Sequence, residues 1–277
     1  MLRPAPFRDG QNPKTSRARP QDYEDDVKRL LNDAIAFFSL YLFTDDAFPG
    51  LAKQTELATR AWNAACNKRE TLVSYELSDR MIRAITSRKS TARGDVSDNI
   101  RSTVAEVYGF RRSAAPVSER HNVELAAALV ENGMFHHKIA FFGNARTGAG
   151  FVHKELFDPI RNQSLAFILT VIRAHISEWS TGHLLKEDFT EVKNARFYEG
   201  FVKDIEKYGA GNNATAWANI RKRLYSKAFR AGGGVTLQVH TARMSQAAMQ
   251  AATAELAGRS GLTDSEEEAE FPEEAEA

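Results

Sequence analysis

The chain has a single cysteine, Cys66, in 277 residues. No intramolecular disulfide can form, and a reducing compartment is the natural setting. It has no apolar stretch long enough to cross a bilayer. The longest, Leu165 to Ile172, is closely followed by Arg173, His175 and Glu178, and a spanning helix needs about 20 apolar residues. The N-terminus lacks the apolar segment of a secretory signal. These absences lead us to expect a soluble intracellular protein with no membrane contact, nucleus and cytoplasm both remaining open. No repeat with a period of about 20–50 residues is visible, and no strand-like alternation stands out except around residues 134–154.

Catalytic signatures are also scarce. There is no Gly-x-Ser-x-Gly elbow. Gly143, Gly148 and Gly150 are not followed by the Lys-Ser/Thr pair that makes a glycine loop grip phosphate, and no dinucleotide fingerprint occurs. Cys66 shares an apolar helical stripe with Trp62, the position of an inert buried thiol. His136, His137 and His153, with Glu155 and Asp158 nearby, contain the donor types of a zinc site. Adjacent histidines point to different sides of the chain, however, so neither metal nor cofactor is expected. His175 and Glu178 lie three apart on one helical face. That spacing suggests a helix-surface hydrogen bond or a buried histidine satisfied by a carboxylate; His121 and Glu124 repeat it.

Helical periodicity runs through most of the chain. Val27, Leu30, Leu31, Ala34, Ile35, Phe38 and Leu42 recur at the spacing of one helical face, and Asp45, Asp46, Pro49 and Gly50 break it. Further helices are expected from Leu51, over 77–86, over 92–108 with Gly109 as a left-handed cap, and over 117–132. Between Asp158, read as a cap, and Gly182, apolar residues cover nearly the whole circumference, the mark of a helix buried on all sides. Helices over 188–208 and 214–229 follow, and then an Ala-rich segment near 241–257 with little to bury. The expected fold is all-α: a single irregular or orthogonal multi-helix bundle around one buried central helix at about 159–181.

Charge marks the ends. Residues 1–20 hold four prolines and five basic residues, and residues 264–277 hold eight acidic residues and no basic one. The expected organisation is a disordered basic leader at 1–20, a helical domain at 21–232, a loosely attached Ala-rich helix within 233–263 and a disordered acidic tail at 264–277. With a formal net charge of +1 overall, the folded middle is mildly basic, well short of a dedicated nucleic-acid binder.

The stretches "DDAFP", "AWNAAC", "ITSRKSTARGDV", "VYGF", "FVHKELFDPI", "LAFILTVIRAHISEWSTG" and "RFYEGFVKDIEKY" follow one another in this order. Over roughly residues 22–232 the chain resembles the fungal domain of unknown function numbered 6532, common in mushroom-forming fungi. The segment between Val130 and Phe141 is shorter than in that family. The resemblance implies a helical single-domain fold and brings no activity, ligand or catalytic residue.

Arg221, Lys222, Arg223, Lys227 and Arg230 cluster on the helix whose apolar side is Trp217, Ile220, Leu224 and Ala228. Arg88, Lys89, Arg93, Arg111 and Arg112 form smaller groups. If they converge, such groups track phosphates; otherwise they are solvated faces whose long stems cover apolar neighbours. The functional expectation is a non-enzymatic interaction module. A protein is the first expected partner, and weak, non-specific nucleic-acid binding through Arg221, Lys222, Arg223, Lys227 and Arg230 is the second. The alternative is a hydrolase or transferase with its site in the 134–158 loop, since loops on rigid scaffolds often carry function.

Overall fold

An apolar residue every three or four positions from Val27 to Leu42 gives the first helix a face that must be covered, and the second helix covers it. The structure, a computed structural model, describes residues 3–10, 13, 17–69, 75–131, 152–232, 250 and 254. Among them are eight helices of eight or more residues: α1 (Asp25–Thr44), α2 (Leu51–Arg69), α3 (Asp79–Thr86), α4 (Lys89–Tyr108), α5 (Pro116–Glu131), α6 (Asn162–Ser177), α7 (Glu191–Tyr208) and α8 (Ala214–Ala231). No strand forms among the described residues, only two isolated bridges. The fold is all-α, and no helix among the described residues is long and apolar enough to cross a membrane.

The chain divides into two units, Met1–Val235 and Thr236–Ala277, and every named helix lies in the first. Of the expected Ala-rich helix only Gln250 and Ala254 are described, both helical. The acidic tail lies outside the described residues, as does the 134–158 loop up to residue 151.

The first apolar cluster joins α1, α2 and α3. Val27, Leu31, Ala34, Phe38 and Leu42 close on Leu57, Ala61, Trp62 and Ala65, with Met81 and Ile85 capping the end. Asp33 on α1 pairs with Lys68 and Arg69 at the far end of α2, and Arg60 pairs with Asp45 at the end of α1, so the two helices run antiparallel. Ser78 caps α3 by accepting the Met81 N–H at 3.4 Å. The second cluster joins α4 to α7 and takes in Ile100, Val104, Leu129, Phe167, Val171, Ile172, Ile176 and Tyr198. Aromatic contacts from Phe43 and Phe48 to Phe167, and a hydrogen bond from the Ala47 N–H to the Tyr198 hydroxyl at 3.1 Å, bind the first pair of helices to this cluster.

At the centre is α6, in which no residue is exposed. It starts later than its sequence suggests. Asp158 is in extended conformation (φ −111°, ψ 107°) and ends the helical turn Lys154–Phe157, its N–H donating to the Lys154 carbonyl at 2.8 Å. With its backbone committed there, Asp158 cannot cap α6, which begins at Asn162 after Arg161. The other end also falls short of its reading: α6 stops at Ser177 with Glu178 as its C-cap, and Gly182, at φ +91°, turns the chain only later, where a Cβ would meet the Glu119 carbonyl oxygen at 2.9 Å. Gly109 closes α4 in the left-handed region, at φ 84° and ψ 28°.

Part of the described leader is tied to the chain just ahead of α1 and α3. Arg8 N–H donates to the Asp22 carbonyl at 3.1 Å, Glu24 N–H to Pro6 at 3.2 Å and Glu76 N–H to Arg3 at 2.9 Å. The Phe7 ring stacks on buried Tyr23 at 4.9 Å. One aromatic and three backbone bonds do this, which the leader's proline-rich, basic composition does not advertise. Phe7→Ala is expected to lower stability by about 1 kcal/mol, the scale of a half-buried aromatic pair. The check is the urea midpoint; an unchanged midpoint would mean that the stacking contributes nothing.

Candidate functional site

Helix α8 carries the basic cluster singled out by the sequence, and packing sorts its members. Tyr225 and Ala228 are buried while Trp217, Ile220 and Leu224 are half-buried, so the apolar stripe faces inward as its spacing requires. Trp217 Nε1 donates to Asn162 Oδ1 at 3.0 Å and docks α8 at the start of α6. Arg221 is half-buried beside this seam and donates to the Ile160 carbonyl at 3.3 Å. It anchors the helix. Lys222, Arg223, Lys227 and Arg230 are exposed. Arg223, Lys227 and Arg230 fall at i, i+4 and i+7, a single stripe about 10 Å long at 1.5 Å per residue. Among the described residues no carboxylate lies within 4.0 Å of any of these four cations. Among the described residues, Arg230 Nε donates only to its own helix, at the Ser226 carbonyl.

Two members of the smaller basic groups are engaged within the fold. Arg93 is buried, donates to the Ala47 carbonyl at 2.9 Å and to Glu191 at 2.9 Å, and lies over the Phe48 ring. It holds α4 to the α1–α2 connection. Lys89 donates to Gln54 at 2.9 Å.

A serine–histidine–carboxylate chain is the nearest approach to a catalytic constellation. His175 Nε2 stands 3.0 Å from Ser97 Oγ, and His175 Nδ1 stands 3.2 Å from Glu178 Oε2. In a nucleophile relay the ring nitrogen beside the serine must be free to take its proton. Here the same Nε2 lies 2.9 Å from the Ser97 carbonyl oxygen, which can only accept. The tautomer assigned from these partners puts the hydrogen on Nε2, shared between the two Ser97 oxygens. A nitrogen already donating cannot deprotonate the hydroxyl. His175 and Ser97 are each 1% exposed and Glu178 4%, so no substrate reaches the serine. Nδ1 makes no aligned hydrogen bond, although Glu178 Oε2 is 3.2 Å away.

Glu178 is the hub of this buried set. It accepts from Arg101 Nε at 3.2 Å and from the Glu187 N–H at 3.0 Å. Burial works to raise its pKa, but the contacts from His175, Glu187 and Arg101 more than offset that and hold the carboxyl below its ordinary range. His175 is buried beside a carboxylate, as the second of the two readings expects, but it is Ser97 that satisfies the ring.

The remaining candidates disperse. His153 is half-buried, edge-on to the Phe37 ring, and 3.5 Å from Glu155; His136 and His137 lie outside the described residues. His121 sits 3.2 Å from the Gly109 carbonyl instead of pairing with Glu124. No group of three or more metal-ligating side chains occurs among the described residues. Burial pushes the Cys66 thiol up, away from the thiolate a nucleophile needs.

A comparison with family profiles gives one match over residues 33–208, well over half the chain: Domain of unknown function (DUF6532). No curated protein and no solved structure matches the chain.

Proposed function

The chain belongs to the DUF6532 family, and from that premise we propose that it is a non-catalytic helical interaction module that engages polyanions through the outward face of α8. The observation that carries this reading is the exposed set Lys222, Arg223, Lys227 and Arg230, which has no carboxylate partner among the described residues. Exposed basic side chains on a rigid helix, with nothing of opposite charge beside them, suit a partner that supplies its own negative charge. The buried Ser97–His175–Glu178 chain, with its nitrogen already donating, supports a non-catalytic role over a hydrolytic one. Weak, sequence-independent contact with nucleic-acid phosphates is the form of binding that three or four exposed cations support.

Fluorescence anisotropy with a labelled duplex tests this. The expected slope of log K against log salt is about −3, from three to four neutralised phosphates at about −0.9 each. Charge reversal of Lys222, Arg223, Lys227 and Arg230 to glutamate should abolish binding. A chain ending at Thr263, which loses eight negative charges, should bind more tightly at low salt. Unchanged affinity after charge reversal would place the contact elsewhere. Absence of binding at about 50 mM salt, where phosphate contacts are strong, would remove nucleic acid and leave an acidic protein as the partner.

A further inference from the structure

The single arginines of α6 and α7, Arg173 and Arg196, differ from four arginines on α2, α3 and α4. Arg60 pairs with Asp45, Arg80 with Asp22, Arg93 with Glu191 and Arg101 with Glu178. Arg173 on α6 and Arg196 on α7 have neither a carboxylate within 4.0 Å nor a side-chain hydrogen bond among the described residues. Both lie over one ring instead: the guanidinium carbon of Arg173 is 3.3 Å from the Phe197 centroid and that of Arg196 is 4.6 Å. They line a cleft between α6 and α7 of about 480 Å³, with Phe189 and the 94%-exposed Val192 also on its wall.

We propose that this cleft is a binding site for a dianionic oxyanion, with Arg173 and Arg196 as the ligating pair and a phosphate monoester as the ligand class. A cation–π contact uses the flat face of a guanidinium and leaves its in-plane N–H fork free. Phe197 therefore gathers both guanidinium groups at one ring without occupying their donors, as a carboxylate would. Two like charges on one ring repel each other, and Arg173 is half-buried. Its burial first, and the charge of Arg196 second, lower its affinity for its own proton. A bound anion relieves that cost. The cleft's other carboxylates do not supply it: Glu187 is held by Lys193 at 2.8 Å, Glu178 by Arg101, and Asp188 lies beyond 4.0 Å of either guanidinium. Two fixed positive charges match a dianion, whereas a monocarboxylate would leave one unmatched, and each fork suits two oxygens of one phosphate. Phe189 and Val192 offer apolar surface to the organic part of a monoester. A cleft of this size lies within the range of small-molecule sites.

Isothermal titration calorimetry on the full chain tests the site, with inorganic phosphate and phenyl phosphate as probes, acetate as the monoanion, and chloride balancing ionic strength. Saturable binding of both phosphates at one site per chain is expected, with no saturable heat from acetate. R173Q and R196Q should each weaken phosphate by about tenfold or more, the scale of a lost charge-assisted hydrogen bond. R173K keeps the charge and loses the fork, and should fall between. In phosphate-free buffer R196Q should melt no lower than the wild type, because it relieves repulsion; this shows that weaker binding is not a folding defect. The α8 charge reversal should leave phosphate affinity unchanged, which separates this site from the polyanion face. No saturable heat in the wild type, equal affinity in R173Q and R196Q, or loss of phosphate binding on α8 reversal alone would each overturn the proposal.

Discussion

Ile172→Asp is expected to abolish cooperative folding. Ile172 lies in the second apolar cluster, in a helix without an exposed residue, so a carboxylate there has neither water nor a cation to meet. Burying an unpaired charge costs several kcal/mol, about 5 or more, against a whole-domain stability of about 5–15 kcal/mol. The thermal transition followed by circular dichroism should broaden or vanish. Ile172→Val keeps the site apolar and should cost only about 1 kcal/mol, so the contrast isolates charge from volume. A near-wild-type melt for Ile172→Asp would show that α6 does not lie at the centre of the fold.

That α6 is central was legible because apolar residues from Leu165 to Trp179 cover nearly its whole circumference, and such a helix has little face to turn to water. The end of a helix was legible where the position favours one residue type, as the left-handed region at Gly109 favours glycine. Asp158 misled because its side chain can cap a helix in isolation, whereas its backbone here closes the preceding turn. Local propensity names candidates, and the neighbouring segment decides among them.

Charged residues were less legible for a general reason: burial of a cation is decided by partners far along the chain. Arg93 reads as one of three basic residues at a helix junction, yet its partners Ala47 and Glu191 lie 46 and 98 positions away. Arg221 reads as part of a stripe with Lys222 and Arg223, but the seam with Ile160 takes it inward. The pairing of Arg173 with Arg196 leaves only one trace in the sequence, the adjacency of Arg196 to Phe197; that α6 brings a second arginine to the same ring depends on the packing of α6 against α7. The His175–Glu178 contact was legible because both partners sit on one helix, three residues apart.

Glu178→Gln is expected to lower stability by about 3 kcal/mol at pH 7 and to do so less as the solution is acidified. The side chain is 4% exposed and faces the Arg101 guanidinium, the Glu187 N–H and His175. Glutamine keeps the shape and removes the charge, leaving Arg101 without its counterion. Breaking a buried pair from one side costs about 3–5 kcal/mol, and the lower end applies because the Arg101 side chain is partly exposed, at 20%. The pH dependence follows from the depressed carboxyl. A group whose folded pKa lies below its unfolded one stabilises the fold fully above the unfolded pKa, here about 4.5. It loses that contribution as pH falls through the folded pKa, because protonation is then forced on the native state. The wild-type advantage over Glu178→Gln should therefore be largest at neutral pH and shrink below about pH 4.5, a range in which the glutamine variant has nothing to titrate at this position. Urea unfolding of both proteins from pH 7 down to pH 3 measures the gap directly. A gap that stays constant across this range would mean that Glu178 stabilises the bundle through its shape and hydrogen bonds, and that its charge contributes nothing.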